Sequence, residues 1–142
     1  MAEMVEFELV TPEEVLVTQL VDMVVVPGGD GDYGVLAGHV PMITTVRPGA
    51  ITIYEDSRVT DRIFVTGGFA EVTGERITVL IEKAVKVDRL DRATAEQDIK
   101  NFTEDLEDAK TDDERDQATS QLEIAKAQLQ AIFDAAGSHE TV

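Results

Sequence analysis

Three stretches of the sequence hold residue types that could do chemistry. The first, Pro27-Gly28-Gly29-Asp30-Gly31, has the glycine content of a phosphate-cradling loop. Such a loop also needs a helix whose amino terminus faces the phosphate, or a Lys with a Ser or Thr after the glycines. Here Asp30 and Asp32 flank the glycines and strand-like residues follow, so the segment reads as a hairpin turn. The second is His39, the one histidine outside the tail that holds His139. A general base needs a nucleophile or an orienting carboxylate, and a metal needs further ligands at a recognisable spacing. The sequence around His39 supplies neither, and most histidines of this kind are structural. The third is Val87-Asp88-Arg89-Leu90-Asp91-Arg92-Ala93, where Asp88 and Arg92 share a helical face. The plain reading there is a cap by Asp88 and an ion pair from Arg92 to a nearby carboxylate. Ser57, Ser120 and Ser138 have no base beside them, and the carboxylates form runs, which are usually solvated faces. No active site, cofactor or metal is expected.

The elements that must position these residues fall into two kinds. From Val5 to Val87 short β-branched runs alternate with turn signals: Val5 to Val10, Val15 to Leu20, Met23 to Val26, Met42 to Val46, Ile51 to Tyr54, Val59 to Val65, Ile77 to Ile81 and Ala84 to Val87. This predicts an all-β sandwich over residues 1–87. From Asp88 the period becomes helical. Ala95, Ile99, Phe102, Leu106 and Ala109 form one apolar stripe, and Ala118, Leu122, Ala125, Leu129, Ile132 and Ala136 form another. Thr111-Asp112-Asp113-Glu114 between them is a capping box. Residues 88–142 are therefore predicted to be an antiparallel two-helix hairpin ending in a frayed tail from Gly137. Isolated helices of this length are marginal in water, so the hairpin depends on burying its stripe.

Composition limits the partners. With 12 basic and 29 acidic residues the formal charge is -17, which argues against capture of nucleic acid or of anionic lipid. There is no cysteine, which removes disulfides, thiolate metal sites and thiol catalysis. No signal peptide, transit peptide or membrane span is expected, so at a membrane another subunit would have to hold the protein in place.

The most informative residues are two glycine signatures. Gly31-Asp32-Tyr33-Gly34-Val35-Leu36-Ala37-Gly38-His39-Val40-Pro41 is one, and Gly67-Gly68-Phe69-Ala70-Glu71-Val72 is the other. Each reads as a place where the backbone turns tightly or approaches another polypeptide. In order and spacing they resemble the epsilon subunit of the rotary F-type ATP synthase, and the resemblance covers nearly the whole sequence. It implies a non-catalytic central-stalk subunit. The sandwich would clasp the gamma subunit and rest on the c-ring, with Gly31, Asp32, Gly34, His39, Pro41, Gly67 and Gly68 as partner-binding residues. Asp32 and His39 would face the ring. It implies a peripheral position on the cytoplasmic face of a bacterial inner membrane.

The resemblance also implies that the hairpin can reach the beta and alpha subunits and brake ATP hydrolysis through basic residues of the last helix. Residues 117–136 contain one, Lys126, so only a weak brake is expected. Some members bind ATP through an Asp and an Arg-Ala at the start of the first helix. Asp88 and Arg92 are the candidates here, with one extra residue between them and few cations on the second helix. Weak or absent ATP binding is expected, with an ATP-sensing hairpin as the alternative. An enzyme with a concealed acid-base pair is a third reading, and a β-sandwich interaction domain with a dimerisation hairpin is the fallback.

Overall fold

A computed structural model describes residues 3–137. The protein divides into two compact units, residues 1–86 and 87–142. The first contains ten strands: β1 Val5–Val10, β2 Val15–Val21, β3 Met23–Gly28, β4 Gly31–Val35, β5 Met42–Val46, β6 Gly49–Glu55, β7 Arg58–Val65, β8 Gly68–Val72, β9 Arg76–Ile81 and β10 Ala84–Lys86. They make one hydrogen-bonded sheet in the order β10-β7-β6-β3-β5-β8-β9-β1-β2, with β4 on the other edge of β3. Between β3 and β5 a single pair, Gly28 with Val46, carries the ladder. The sheet folds over there, and the two halves enclose a core to which both contribute, including Phe7, Leu9, Val24, Val26, Ile51, Ile53, Ile77 and Val79. β1 shows the logic: Val5, Phe7 and Leu9 are buried while Glu6, Glu8 and Val10 point away. β1 and β9 run parallel, and every other pairing among the described residues is antiparallel.

Turn chemistry sets the register. Asp56 and Ser57 both have positive φ, 53° and 64°, between the paired Glu55 and Arg58. That is the two-residue primed turn whose twist matches a hairpin, and the Asp22 carboxylate accepts from the Asp56 amide at 2.5 Å to hold it. At Thr73 one hydroxyl accepts from the Glu75 and Arg76 amides, at 3.3 and 3.1 Å, and closes the β8–β9 turn.

Two strands, β4 and β8, were not among the runs that the sequence marks as strands. Both coincide with glycine signatures, whose glycines lower strand propensity while leaving the ladder intact. Val87 also departs from its predicted strand. The sheet ends at Lys86, and Val87–Arg89 forms a 3-10 turn.

In the second unit α1 spans Arg92–Glu107 and α2 spans Asp112–Gly137. The residue capping α1 is Asp91, not Asp88. The Asp91 carboxylate accepts from the Thr94 amide at 2.9 Å and from its hydroxyl at 2.7 Å, whereas Asp88 sits inside the 3-10 turn. At α2 the Thr111 hydroxyl accepts from the Glu114 amide at 3.1 Å, and the Glu114 carboxylate accepts from the Lys110 amide, also at 3.1 Å. Ala95, Ala118, Leu122 and Ala125 are buried as the stripes predict. Near the end of α2 the pattern differs: Ala136 is exposed and Ala131 is buried. At about 3.6 residues per turn Ala131 lies roughly 140° around the helix from Ala118, so it belongs to a second covered face and not to the predicted stripe. Gly137 is still helical, so the predicted fraying from that residue is not seen there; the remainder of the tail, His139 included, lies outside the described residues.

Candidate partner-binding surface

The first glycine signature begins in the β3–β4 hairpin. Gly31 adopts φ +138° with open space around it, and Asp32 follows as an exposed carboxylate. Arg47 reaches it with Nη2 at 2.5 Å and donates with Nη1 to the Gly28 carbonyl, also at 2.5 Å, tying the hairpin to the end of β5. Both partners are solvated, so the pair is worth at most about 1 kcal/mol. Its consequence is positional: Asp32 is held in one orientation at the edge of the sandwich. Tyr33 and Thr44 share a 2.5 Å hydroxyl contact that links β4 to β5. An added Cβ on Gly34 would lie 3.3 Å from the Met23 sulfur, a close but yielding neighbour.

His39 lies at the other end of β4. After Val35 the backbone turns through Leu36 to Pro41; the Gly38 amide donates to the Gly74 carbonyl at 2.7 Å and the His39 amide to the Leu36 carbonyl at 3.1 Å. His39 Nδ1 donates to the Val40 carbonyl at 2.7 Å. Asp32 and His39 are thus not brought together: from Asp32 to Val35 alone the strand climbs roughly 10 Å. Among the described residues no three His, Cys, Asp or Glu side chains are grouped to hold a metal.

Gly67 and Gly68 sit where β7 passes into β8, with φ +116° and +156°. The close approach that the sequence suggests is made to the protein's own backbone. A Cβ on Gly68 would overlap the Leu80 carbonyl oxygen, and one on Gly67 would lie 3.2 Å from the Val46 carbonyl oxygen.

The feature that the sequence did not disclose is the outer face of β5, β8, β9, β1 and β2. Thr45 pairs with Phe69, Phe69 with Leu80, Leu80 with Val10 and Val10 with Val15, in one register row across five strands. Phe69 is 58% exposed, Val15 55% and Leu80 44%. Leu20, Ile43 and Val40 add further uncovered apolar surface at the margins. A contiguous apolar patch of this kind marks an interaction site, whereas single exposed apolar residues do not. Its local signal was present in runs such as Val79-Leu80-Ile81, where both faces of a strand are apolar.

In the hairpin, Arg92 donates to the Glu96 carboxylate at 2.8 Å and lies 4.9 Å from the centre of the Phe133 ring. Its guanidinium is engaged within the hairpin as the ion-pair reading expects. Thr94 holds the Asp91 carboxyl below its ordinary pKa, first through its hydroxyl and then through its amide. Arg115 pairs with Asp112 at 3.0 Å.

Residues 4–87 match the family model for the beta-sandwich domain of the ATP synthase Delta/Epsilon subunits, and residues 91–139 match the model for the C-terminal domain of the ATP synthase epsilon subunit. The ATP synthase epsilon chain of Paramagnetospirillum magneticum is 51% identical over 132 residues, covering 93% of this sequence and 99% of the relative. That of Rhodospirillum centenum is 53% identical over 137 residues, covering 93% and 94%. Among solved structures, a polypeptide of the Euglena gracilis mitochondrial ATP synthase, OSCP/F1/c-ring, superposes with a TM-score of 0.80 at 20% identity, over 96% of this protein and 82% of that one. The two-part fold, the pair of family domains in their order and relatives at half identity along nearly the full length show together that this protein belongs to the ATP synthase epsilon subunit family.

Proposed function

We propose that this protein is a non-catalytic rotor subunit that couples the c-ring to the catalytic head through the gamma subunit. The observation that carries the proposal is the uncovered row of Phe69, Leu80, Val10 and Val15 on a rigid sheet, a surface suited to gripping a shaft under torque. The edge with Gly31, Asp32 and Gly34 is assigned to the c-ring. His39, expected with Asp32 at the ring, lies beyond the opposite end of β4; its loop with Pro41, adjoining exposed Val40 and Ile43, is therefore assigned to the gamma side instead. Gly67 and Gly68 shape the strand that presents Phe69. The sandwich would be held peripherally at the cytoplasmic face of a bacterial inner membrane; no helix among the described residues is long and apolar enough to cross one. The test is co-purification of the tagged protein from its own membranes. Recovery of alpha, beta and gamma subunits is expected with the parent. The outward-facing change Phe69→Asp is expected to weaken gamma capture at least roughly tenfold without unfolding the sandwich. Undiminished capture would remove this face from the interface.

The hairpin is proposed as a weak brake on ATP hydrolysis acting at the beta and alpha subunits, since α2 offers them little positive charge beyond Arg115 and Lys126. Removal of residues 88–142 is expected to leave ATPase activity of the assembled complex within about twofold, a barrier change under about 0.5 kcal/mol. A many-fold rise would refute it. ATP binding at Asp88 and Arg92 is disfavoured: Arg92 would have to leave Glu96 and Phe133, and Asp88 does not cap the helix. Calorimetry is expected to show no saturable ATP binding below millimolar concentration.

A further inference from the structure

The outer face that carries the apolar row also carries a charge pattern. Two residues along each strand, or three across the bulge in β2, lies a second register row: Ile43 pairs with Glu71, Glu71 with Thr78, Thr78 with Glu8 and Glu8 with Thr18. Glu71 and Glu8 are on strands separated by one other, so their stems stand roughly 9.6 Å apart. Among the described residues neither has an ion-pair partner, whereas Arg76 beside them is already matched by Glu6 at 2.7 Å. Glu6, Glu71, Glu75 and Arg76 edge a concavity of about 330 Å³ on the same side of the row.

We infer that the occupant is an α-helix of the gamma subunit laid across the strands, with its apolar stripe on the Phe69 row and Lys or Arg at positions about seven apart on one flank, facing Glu71 and Glu8. This rests on the docking assignment above. The spacings support it: one helical turn rises about 5.4 Å and neighbouring strands lie about 4.8 Å apart, so each turn meets one strand. Residues i and i+7 are about 10.5 Å apart, close to the Glu71–Glu8 interval. The partner must be cationic on that side. A second copy of this protein would bring the same carboxylates and be repelled, as would an anionic bilayer.

The test uses the full-length protein and purified gamma subunit from the same organism, with binding measured between 50 and 300 mM NaCl. The isosteric pair Glu8→Gln and Glu71→Gln is expected to weaken binding roughly 3- to 30-fold at the lowest salt and to flatten its salt dependence. Hydrogen exchange on bound gamma is expected to show protection along a helical segment. Unchanged affinity and salt slope in the double variant, with Phe69→Asp still disruptive, overturn the basic flank and leave the docking face standing. Protection confined to loops or strands of gamma overturns the helix. An inert Phe69→Asp overturns both readings.

Discussion

Gly68→Ala is expected to destabilise the sandwich by about 3 kcal/mol or more, lowering its melting temperature by roughly 12–24 °C. The methyl group would enter the space of the Leu80 carbonyl oxygen and come within 3.1 Å of Ile81 Cγ2. The Leu80 oxygen belongs to backbone, so no rotamer change relieves the overlap; β9 must move away from β8, where Gly68 pairs with Ile81 and Phe69 with Leu80. The backbone at φ +156° adds strain for any side chain, of order 1 kcal/mol or more. Against a total stability of about 5–15 kcal/mol this is a large fraction. Gly74→Ala is the control: nothing lies within 4 Å of its Cβ position, and its φ is not in the positive range. That substitution is expected to be neutral or slightly stabilising, through reduced freedom of the unfolded state. Equal melting temperatures for the two variants would show that the β8–β9 contact is not what demands glycine.

That contact also explains what could be read from the sequence. The alternation of Val5, Phe7 and Leu9, or of Ile51 and Ile53, places strands directly because side chains on one face share one environment. β4 and β8 escaped because Gly31, Gly34 and Gly68 present no side chain to bury, and in β4 only Val35 is fully buried. The glycines advertised a close approach but not its object, since the carbonyl of Leu80 lies twelve residues downstream of Gly68. The apolar row was hidden for the same reason. The Val10–Val15 and Phe69–Leu80 pairs each lie in a hairpin, but they join into one row only through the parallel β1–β9 pairing, a register that no local pattern encodes. At α1 the sequence points to Asp88 as the cap, and the structure uses Asp91. The deciding residue is Thr94, whose amide and hydroxyl both meet Asp91, while the Leu90 amide closes a 3-10 turn on the Val87 carbonyl.

Leu122→Asp is expected to open the hairpin. Among the described residues Leu122, 9% exposed, is the one large apolar side chain of the two helices that is nearly fully buried; the others in that state are Ala95, Ala118, Ala125 and Ala131. Alanines let helix axes approach but remove little apolar area from water, so Leu122 supplies a disproportionate share of what holds α1 and α2 together. Its loss costs about 2–5 kcal/mol, and burying a carboxylate adds to that unless the helices separate. Separated, each helix falls back on its own propensity, which is marginal in water. Repulsion among Glu104, Asp105, Glu107, Asp108, Asp112, Asp113 and Glu114 around the turn opposes closure further, so opening should be more complete at low salt. Circular dichroism at 222 nm is expected to show loss of a large part of the helical signal. The two tyrosines, Tyr33 and Tyr54, both lie in the sandwich and there is no tryptophan, so tyrosine fluorescence follows the sandwich alone and its melting is expected to be unchanged. Leu122→Met, which keeps the volume, should retain the helical signal. If Leu122→Asp kept it too, the apolar stripe would not be what closes the hairpin, and the contact of Arg92 on α1 with Phe133 on α2 would have to carry more of that role than one cation–π contact ordinarily supplies.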